Sequence, residues 1–267
     1  MASAEAWELH GFGDVSVKKD YVTPRGLVVT TDGAMVHLVN GLSVNSPSGV
    51  SIYAGTFLAL NPGHATGGEP LNEFDWWVGA SVPVAEGLTA SIEYGHWIFP
   101  DTIPYDERNI QFTLKYADKP KNGFSINPHA NIFWSVNSKS STVVLGKPDG
   151  TGYFELGVTP TYAGKGFTLT APTWMSIGPK EYWVSEGNKA LVATLVNGGD
   201  RSNLGVFSTG LKASVPLSLG GKAGASVYAF GQYYHMFNDG LVASKQLLNN
   251  GDQRNHFNFG VGMGWGF

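Results

Sequence analysis

Residues 256–267 read HFNFGVGMGWGF, and their side chains alternate strictly between two kinds. Large apolar side chains occupy every second position from Phe257 to Phe267, and small or polar ones occupy the positions between them. Because successive side chains of a β-strand point to opposite faces, this stretch is predicted to be a strand with one wholly apolar face. That face continues to the final residue of the sequence.

The same alternation recurs through the chain, and it predicts twelve strands in all. No run approaches the roughly 18–20 apolar residues that a membrane-spanning helix needs. The other eleven segments are residues 7–18, 34–44, 50–58, 74–82, 87–98, 109–116, 125–136, 153–162, 167–177, 206–215 and 225–234.

The connections between these segments alternate between short and long. The short ones are the turn-like NSPSG, VAEG, DKPKNG, AGKG and LSLGG, and the long ones lie near residues 19–33, 61–73, 99–108, 137–151, 178–202 and 235–253. Short turns at one end and long loops at the other are typical of an outer-membrane barrel. The sequence therefore predicts a single all-β domain over residues 1–267, a transmembrane antiparallel up-and-down β-barrel of about twelve strands in a bacterial outer membrane. Its apolar face contacts outer-membrane lipid, and its last strand closes on the first, because lipid does not tolerate open sheet edges.

Charge placement supports this orientation. Only 14% of the residues are charged, and a Lys or Arg on the lipid face of a barrel costs about 2–4 kcal/mol at mid-bilayer. Asn40 interrupts the apolar face between Leu38 and Leu42, and three explanations remain open: a position near the rim, a subunit contact, or a bulge that turns it inward. The strand charges that fall on the predicted inward face are Glu8, Asp14, Lys18, Asp75, Glu93, Lys115, Glu155 and Lys212.

Composition excludes several other classes of protein. A net charge of −4 gives no reason to expect a nucleic-acid partner, and the absence of cysteine excludes disulfides and thiolate sites. The histidines form no close metal-binding pair, so neither a metal nor a cofactor is expected. The N-terminal residues MASAEAWELH contain no basic region followed by an apolar core, so no signal peptide is visible.

The stretches GDVSVKKDYVTPRGL, residues 13–27, and TTDGAMVHLVNGLSV, residues 30–44, resemble the start of the TorF-like porins of Gram-negative bacteria. In that family a first strand leads into an Asp-Tyr-Val-x-Arg-Gly turn and a second strand. Asp20, Tyr21, Val22, Arg25 and Gly26 hold the pattern, although Thr23-Pro24 makes the turn one residue longer. The resemblance implies an outer-membrane channel and does not identify its solute. The C-terminal strand ending in Phe267 also resembles the signal that the outer-membrane assembly machinery reads, which implies that machinery as a partner.

These observations predict a porin-like channel for passive diffusion of small polar solutes, without catalytic residues. A barrel hydrolase and a structural or adhesive barrel are the alternatives. Ser135 and His129 share a face, but six residues place them ~20 Å apart along a strand. A short helix is predicted over residues 240–249, with Asn238 or Asp239 as its cap. The residues predicted to line the pore are Glu8, His10, His37, Asp75, Glu93, Lys115, His129, Glu155, Tyr228 and His256.

Overall fold

A computed structural model describes residues 6–23, 25–31, 33–62, 70–100, 106–137, 144–147, 150–197, 202–218 and 224–267. Most of these residues form strands, in accordance with the alternating pattern. The strands are β1 (Glu8–Lys18), β2 (Tyr21–Val22), β3 (Val28–Thr30), β4 (Met35–Asn45), β5 (Ser51–Leu60), β6 (Leu71–Ala85), β7 (Leu88–Ile98), β8 (Glu107–Tyr116), β9 (Phe124–Ser125), β10 (Pro128–Ser135), β11 (Gly152–Val158), β12 (Thr161–Gly164), β13 (Phe167–Thr170), β14 (Thr173–Ile177), β15 (Leu204–Ser218), β16 (Gly224–Met236) and β17 (Asn255–Gly266).

Fifteen of these strands form one closed antiparallel sheet. β9 and β10 form one interrupted strand, as do β11 and β12, and β13 and β14. The barrel therefore has twelve long strands, which we call staves. The predicted fold class is confirmed. β1 pairs with β17, from Phe12 opposite Gly266 to Lys18 opposite Gly260. The backbones of Gly11 and Phe267 exchange two hydrogen bonds, of 3.1 and 3.0 Å. The predicted closure of the last strand on the first is therefore confirmed.

The three divided staves are neighbours, and their interruptions lie side by side. Pro128, Pro160 and Pro172 stand at the three breaks, and proline has no N–H to donate to a sheet. Backbone hydrogen bonds beside the prolines keep the wall joined: Thr159 N–H donates to the carbonyl of Ile126 at 2.9 Å, and Gly210 N–H donates to the carbonyl of Pro172 at 3.0 Å. We call this row of breaks the proline line.

The side chains alternate across the wall as predicted. The outward positions of the last strand are exposed, with Phe257 at 54%, Phe259 at 50% and Val261 at 58%, and the inward positions between them are glycine or polar. The outward face carries one charge that the sequence reasoning overlooked, since Arg108 is exposed near the loop end of β8. The wall therefore presents an apolar belt with polar residues toward its loop-bearing edge.

Asn40 points outward from the middle of β4. It pairs in uninterrupted register with Gly13 of β1 and Thr56 of β5, and it is exposed. Two of the three predicted explanations, the bulge and the rim position, are therefore wrong.

Glycines on the inward face give room to aromatic rings from the next strand, as the composition of the last segment indicates. A Cβ atom on Gly262 would lie 2.5 Å from Cζ of Tyr228, and one on Gly260 would lie 2.8 Å from Cε1 of Phe230. A side chain at either position would collide with the ring above it, so glycine is required there by packing.

The long connections lie at one end of the barrel and contain ordered elements. β2 and β3 pair to form a hairpin within the first long connection. Three helices follow later: α1 (Lys180–Trp183), α2 (Lys189–Val196) and α3 (Asp239–Leu247). The predicted helix at 240–249 is confirmed as α3, and the Asn238 side chain accepts a hydrogen bond from Gly240 N–H at 2.8 Å. α1 and α2 were not predicted. None of the helices in the described ranges is long and apolar enough to cross a membrane.

These loop elements share two small apolar cores with the loop end of the wall. Val28 of the hairpin, Trp183 of α1, Val192 of α2 and Leu241 of α3 are all 0% exposed and belong to one cluster with Met236 of β16. A second cluster holds Tyr21, Leu27, Val29 and Phe99, together with wall residues Met35 and Ala59. The β2–β3 hairpin is thus packed against the barrel wall and is not a free surface loop.

Candidate functional site in the barrel lumen

All ten residues predicted to line a pore lie on the inward side of the wall. They do not form one ring, because they are distributed along the height of the barrel. Glu8 and His10 lie at the short-turn end, 3.4 Å apart, and Lys115 pairs in register with His129 in the same half. The other six residues, His37, Asp75, Glu93, Glu155, Tyr228 and His256, lie nearer the middle or the loop end.

Two of the predicted histidines hold the hairpin in place. His256 Nε2 lies 3.0 Å from the carboxylate of Asp20, which is 0% exposed. Asn258 fixes the backbone of the same aspartate, donating to its carbonyl at 3.0 Å and accepting from its N–H at 3.2 Å. The ring of His37 meets the ring of Tyr21 edge-on, with 5.1 Å between centroids. His37 and His256 therefore both contact the segment that carries the hairpin.

Arg25 anchors the tip of the hairpin inside the lumen. Its guanidinium donates to Glu107 Oε1 at 2.5 Å, and the two side chains are 5% and 2% exposed. The rings of Trp97 and Phe133 lie 4.4 and 4.5 Å from the guanidinium carbon. Burial lowers the pKa of Arg25, but the charge and hydrogen bond of Glu107 together with the neighbouring Tyr153 and Tyr182 outweigh it, so the pKa lies above its usual range. Arg25 therefore stays charged at any physiological pH.

A carboxyl-rich wall faces the lumen beside this anchor. Glu73 and Asp75 lie two residues apart on one face of β6. Glu93 of β7 and Glu155 of β11 lie on the same side of the lumen. Together with Trp77 these residues line a cavity of about 630 Å³. The cavity lies inside the barrel, between the hairpin and the wall.

Hydrogen bonds connect neighbouring strands of this wall and orient its carboxylates. Gln111 donates to Thr113 at 3.1 Å, Thr113 donates to Asn131 at 2.8 Å, and Asn131 donates to Glu155 at 2.7 Å. His129 Nε2 lies 3.8 Å from the same glutamate. Because Asn131 uses its amide to hold Oε1 of Glu155, this carboxylate has a fixed direction.

The opposite wall carries two of the inward lysines, Lys18 and Lys212. Tyr228 O–H lies 2.7 and 2.8 Å from the two carboxylate oxygens of Asp14. The ammonium of Lys212 lies 3.6 Å from the centre of the Tyr228 ring, and that of Lys18 lies 5.7 Å from the centre of the Phe230 ring. The β6–β11 side of the lumen is therefore rich in carboxyl groups, although it also holds Lys115, and the β1–β15 side holds Lys18, Lys212 and Asp14.

Sequence reasoning missed three residues of this site. Glu73 lies just before the segment that was recognised as a strand, but it is two positions from Asp75 and therefore on the same face. Glu107 lies similarly at the first residue of β8, ahead of the recognised segment. Arg25 lies in a long connection, where periodicity carries no signal. If the predicted strands had been extended by one or two residues at the loop end, they would have included Glu73 and Glu107. They would still not have shown the position of Arg25.

The likeness to solved structures is one of fold. The barrel is similar to the structure of the NanC porin, with a TM-score of 0.51 over 94% of this chain and 98% of that one, at 9% identity. The chain has a porin-like fold. This closed barrel, with its outward apolar belt, places the protein in the bacterial outer membrane.

Two further solved structures are more distant. An outer-membrane channel from Pseudomonas putida F1 gives a TM-score of 0.47 over 100% of this chain and 99% of that one, at 9% identity. The outer-membrane channel DcaP of Acinetobacter baumannii gives 0.42, also at 9% identity, over 100% and 99% of the two chains. No family model and no curated protein sequence matches the chain.

Proposed function

We propose that the protein is an outer-membrane channel for passive diffusion of small polar solutes, narrowed on its loop side by the β2–β3 hairpin. One observation carries the proposal: the barrel encloses a cavity of about 630 Å³ whose lining includes Glu73, Asp75, Glu93 and Glu155. A purely structural barrel can fill its interior with interlocking side chains. A cavity bordered by so many carboxyl groups instead favours a hydrated path.

The competing functions find less support. A barrel hydrolase needs a serine and a histidine within hydrogen-bond reach. Ser135 and His129 lie on one strand, about 20 Å apart by the rise of a β-strand, and Ser135 is 5% exposed. Among the described residues there is no cluster of histidine and carboxylate side chains that could hold a metal ion. We therefore propose a protein without enzymatic activity.

Single-channel recording in planar bilayers tests the channel. Purified barrel should give discrete conductance steps, because a continuous aqueous path admits ions. Glu93→Gln and Lys115→Gln should shift the ratio of cation to anion permeability in opposite directions, since one charge has a large effect in a narrow pore of low dielectric. Absence of conductance steps from a correctly folded barrel would contradict the channel, and the structural barrel would then take its place.

The orientation and the contacts outside the lumen belong to the same proposal. The short turns and both ends of the described chain lie at one end of the barrel, which we assign to the periplasm, and the long loops face outward. The apolar belt contacts outer-membrane lipid. The last strand, ending in Phe267, serves as the assembly signal.

We also propose that the chain belongs to the TorF-like porins. In support, the residues of the shared motif act together: Asp20 contacts His256, Tyr21 packs on His37 and Arg25 pairs with Glu107. Gly26 has a φ of +93°, in the region that favours glycine. A structure of a TorF-like porin should show the same hairpin inside the barrel. A hairpin that lies outside the lumen there would contradict the assignment.

A further inference from the structure

We propose that the lumen cavity is a binding site for a small organic cation, an amine or a guanidinium compound. This inference rests on the proposed channel function and adds to it a class of solute. Three features of the cavity carry the argument: an excess of carboxyl groups, buried carboxyl oxygens without a donor, and aromatic rings beside them.

The cavity has more negative than positive groups. Glu73, Asp75, Glu93 and Glu155 border it, against the basic side chains of Lys18 and Arg25. Arg25 is already neutralised, because it forms its ion pair with Glu107. Four carboxyl groups then face one lysine, and a cationic solute would restore the balance.

Two carboxyl oxygens of the cavity lack a hydrogen-bond donor. Oε2 of Glu73 and Oδ1 of Asp75 are fully buried and have no partner among the residues that the structure describes. Their side chains are 2% and 4% exposed. Leaving a buried acceptor unsatisfied is unfavourable. Both side chains border the cavity from one face of β6, so the charge of an ammonium or guanidinium group in the cavity would offset this cost.

Aromatic rings favour an organic cation over a bare metal ion. Phe57, Trp77 and Trp97 also line the cavity, and ring faces attract ammonium and guanidinium groups. The protein itself demonstrates the fit, since the Arg25 guanidinium lies against Trp97 and Phe133 while it pairs with Glu107. A volume of about 630 Å³ is also within the range of small-molecule sites.

The test uses L-arginine as the probe, L-glutamate as its anionic counterpart and arabinose as a neutral solute. Arginine should block the potassium current through the wild-type channel at low concentration, and glutamate and arabinose should not. Glu93→Gln should raise the half-blocking concentration of arginine about tenfold, as expected for the loss of one charge-assisted hydrogen bond. Glu8→Gln is the matched control, because Glu8 lies on the inward face but outside the cavity; it should leave the block unchanged.

The outcomes separate this inference from the channel itself. If the channel conducts but arginine and arabinose block it equally, the cation site is overturned and the channel stands. If the folded barrel does not conduct, the channel is overturned, and calorimetric titration of the detergent-solubilised barrel with arginine decides the site. Binding that Glu93→Gln weakens would support the site, and no binding would overturn it. If Glu8→Gln weakens the arginine block as much as Glu93→Gln does, the block reflects only a general effect of lumen charge, and the cation site is overturned.

Discussion

Replacing Arg25 with alanine is expected to loosen the β2–β3 hairpin and to leave the barrel wall intact. Arg25 and Glu107 are 5% and 2% exposed, and breaking a buried ion pair on one side costs about 3–5 kcal/mol. The lower end of that range is the better figure, because Glu107 keeps a second donor, the amide of Asn109 at 2.8 Å. Loss of the contacts with Trp97 and Phe133 acts in the same direction.

The effect should remain local because the hairpin and the wall are separate sheets. β2 pairs only with β3 among the described strands, and the wall strands pair among themselves. A cost of 3–5 kcal/mol corresponds to a factor of roughly 10² to 10⁴ in the equilibrium between docked and undocked hairpin. The apolar contacts of Leu27 and Val28 still favour docking, so undocking should remain transient.

Amide hydrogen exchange measures this equilibrium directly. In Arg25→Ala, exchange at Tyr21 and Val28 should accelerate by a factor of at least about 10², while exchange in β17 stays unchanged. Larger and more frequent conductance openings should accompany it. Arg25→Lys should give an intermediate effect, because lysine keeps the charge but has no planar guanidinium. Lys189→Ala is the control for an exposed ion pair, with Glu186, and should change nothing in the hairpin.

The reasoning would be refuted if Arg25→Ala left hairpin exchange and conductance as in the wild type. It would also be refuted if β17 lost protection together with the hairpin. The first result would mean that the apolar contacts alone hold the hairpin. The second would mean that the hairpin and the wall unfold as one unit.

Two other predictions concern topology and packing. An epitope inserted at Gly187, in the loops, should be labelled on intact cells and one at Gly166, in a short turn, should not; the reverse pattern would invert the orientation. Gly262→Ala should lower the yield of folded, heat-modifiable barrel on gels, because its Cβ would meet a tyrosine ring carbon at 2.5 Å. Gly264→Ala should be tolerated, since its nearest neighbour is at 3.4 Å; equal yields would contradict the packing argument.

The barrel was predictable from sequence because its determinants are local. In a lipid-facing strand each residue is assigned to a face by its position alone, and the period of two is visible within ten residues. The cap of α3 was visible for the same reason, since Asn238 lies two residues from the N–H that it binds. Closure followed from the physics of the bilayer, which leaves no edge strand unpaired.

The lumen was less predictable because its determinants are long-range. Arg25 and Glu107 are 82 residues apart, and Asp20 and Asn258 are 238 apart. Alternation correctly assigned Glu93 and Glu155 to the inside, but it could not show that they line one cavity with Glu73 and Asp75. His37 and His256 were assigned to the inward face, but alternation could not show that both contact a folded loop.

The proline line gives the wall unequal stiffness around its circumference. A sheet resists bending through its ladder of hydrogen bonds, and Pro128, Pro160 and Pro172 each remove one donor from the same row of three adjacent staves. The remaining nine staves have no such aligned gap among the described residues. Because this row crosses the strands, the three interrupted staves should bend along their length at the prolines more easily than the other nine staves do.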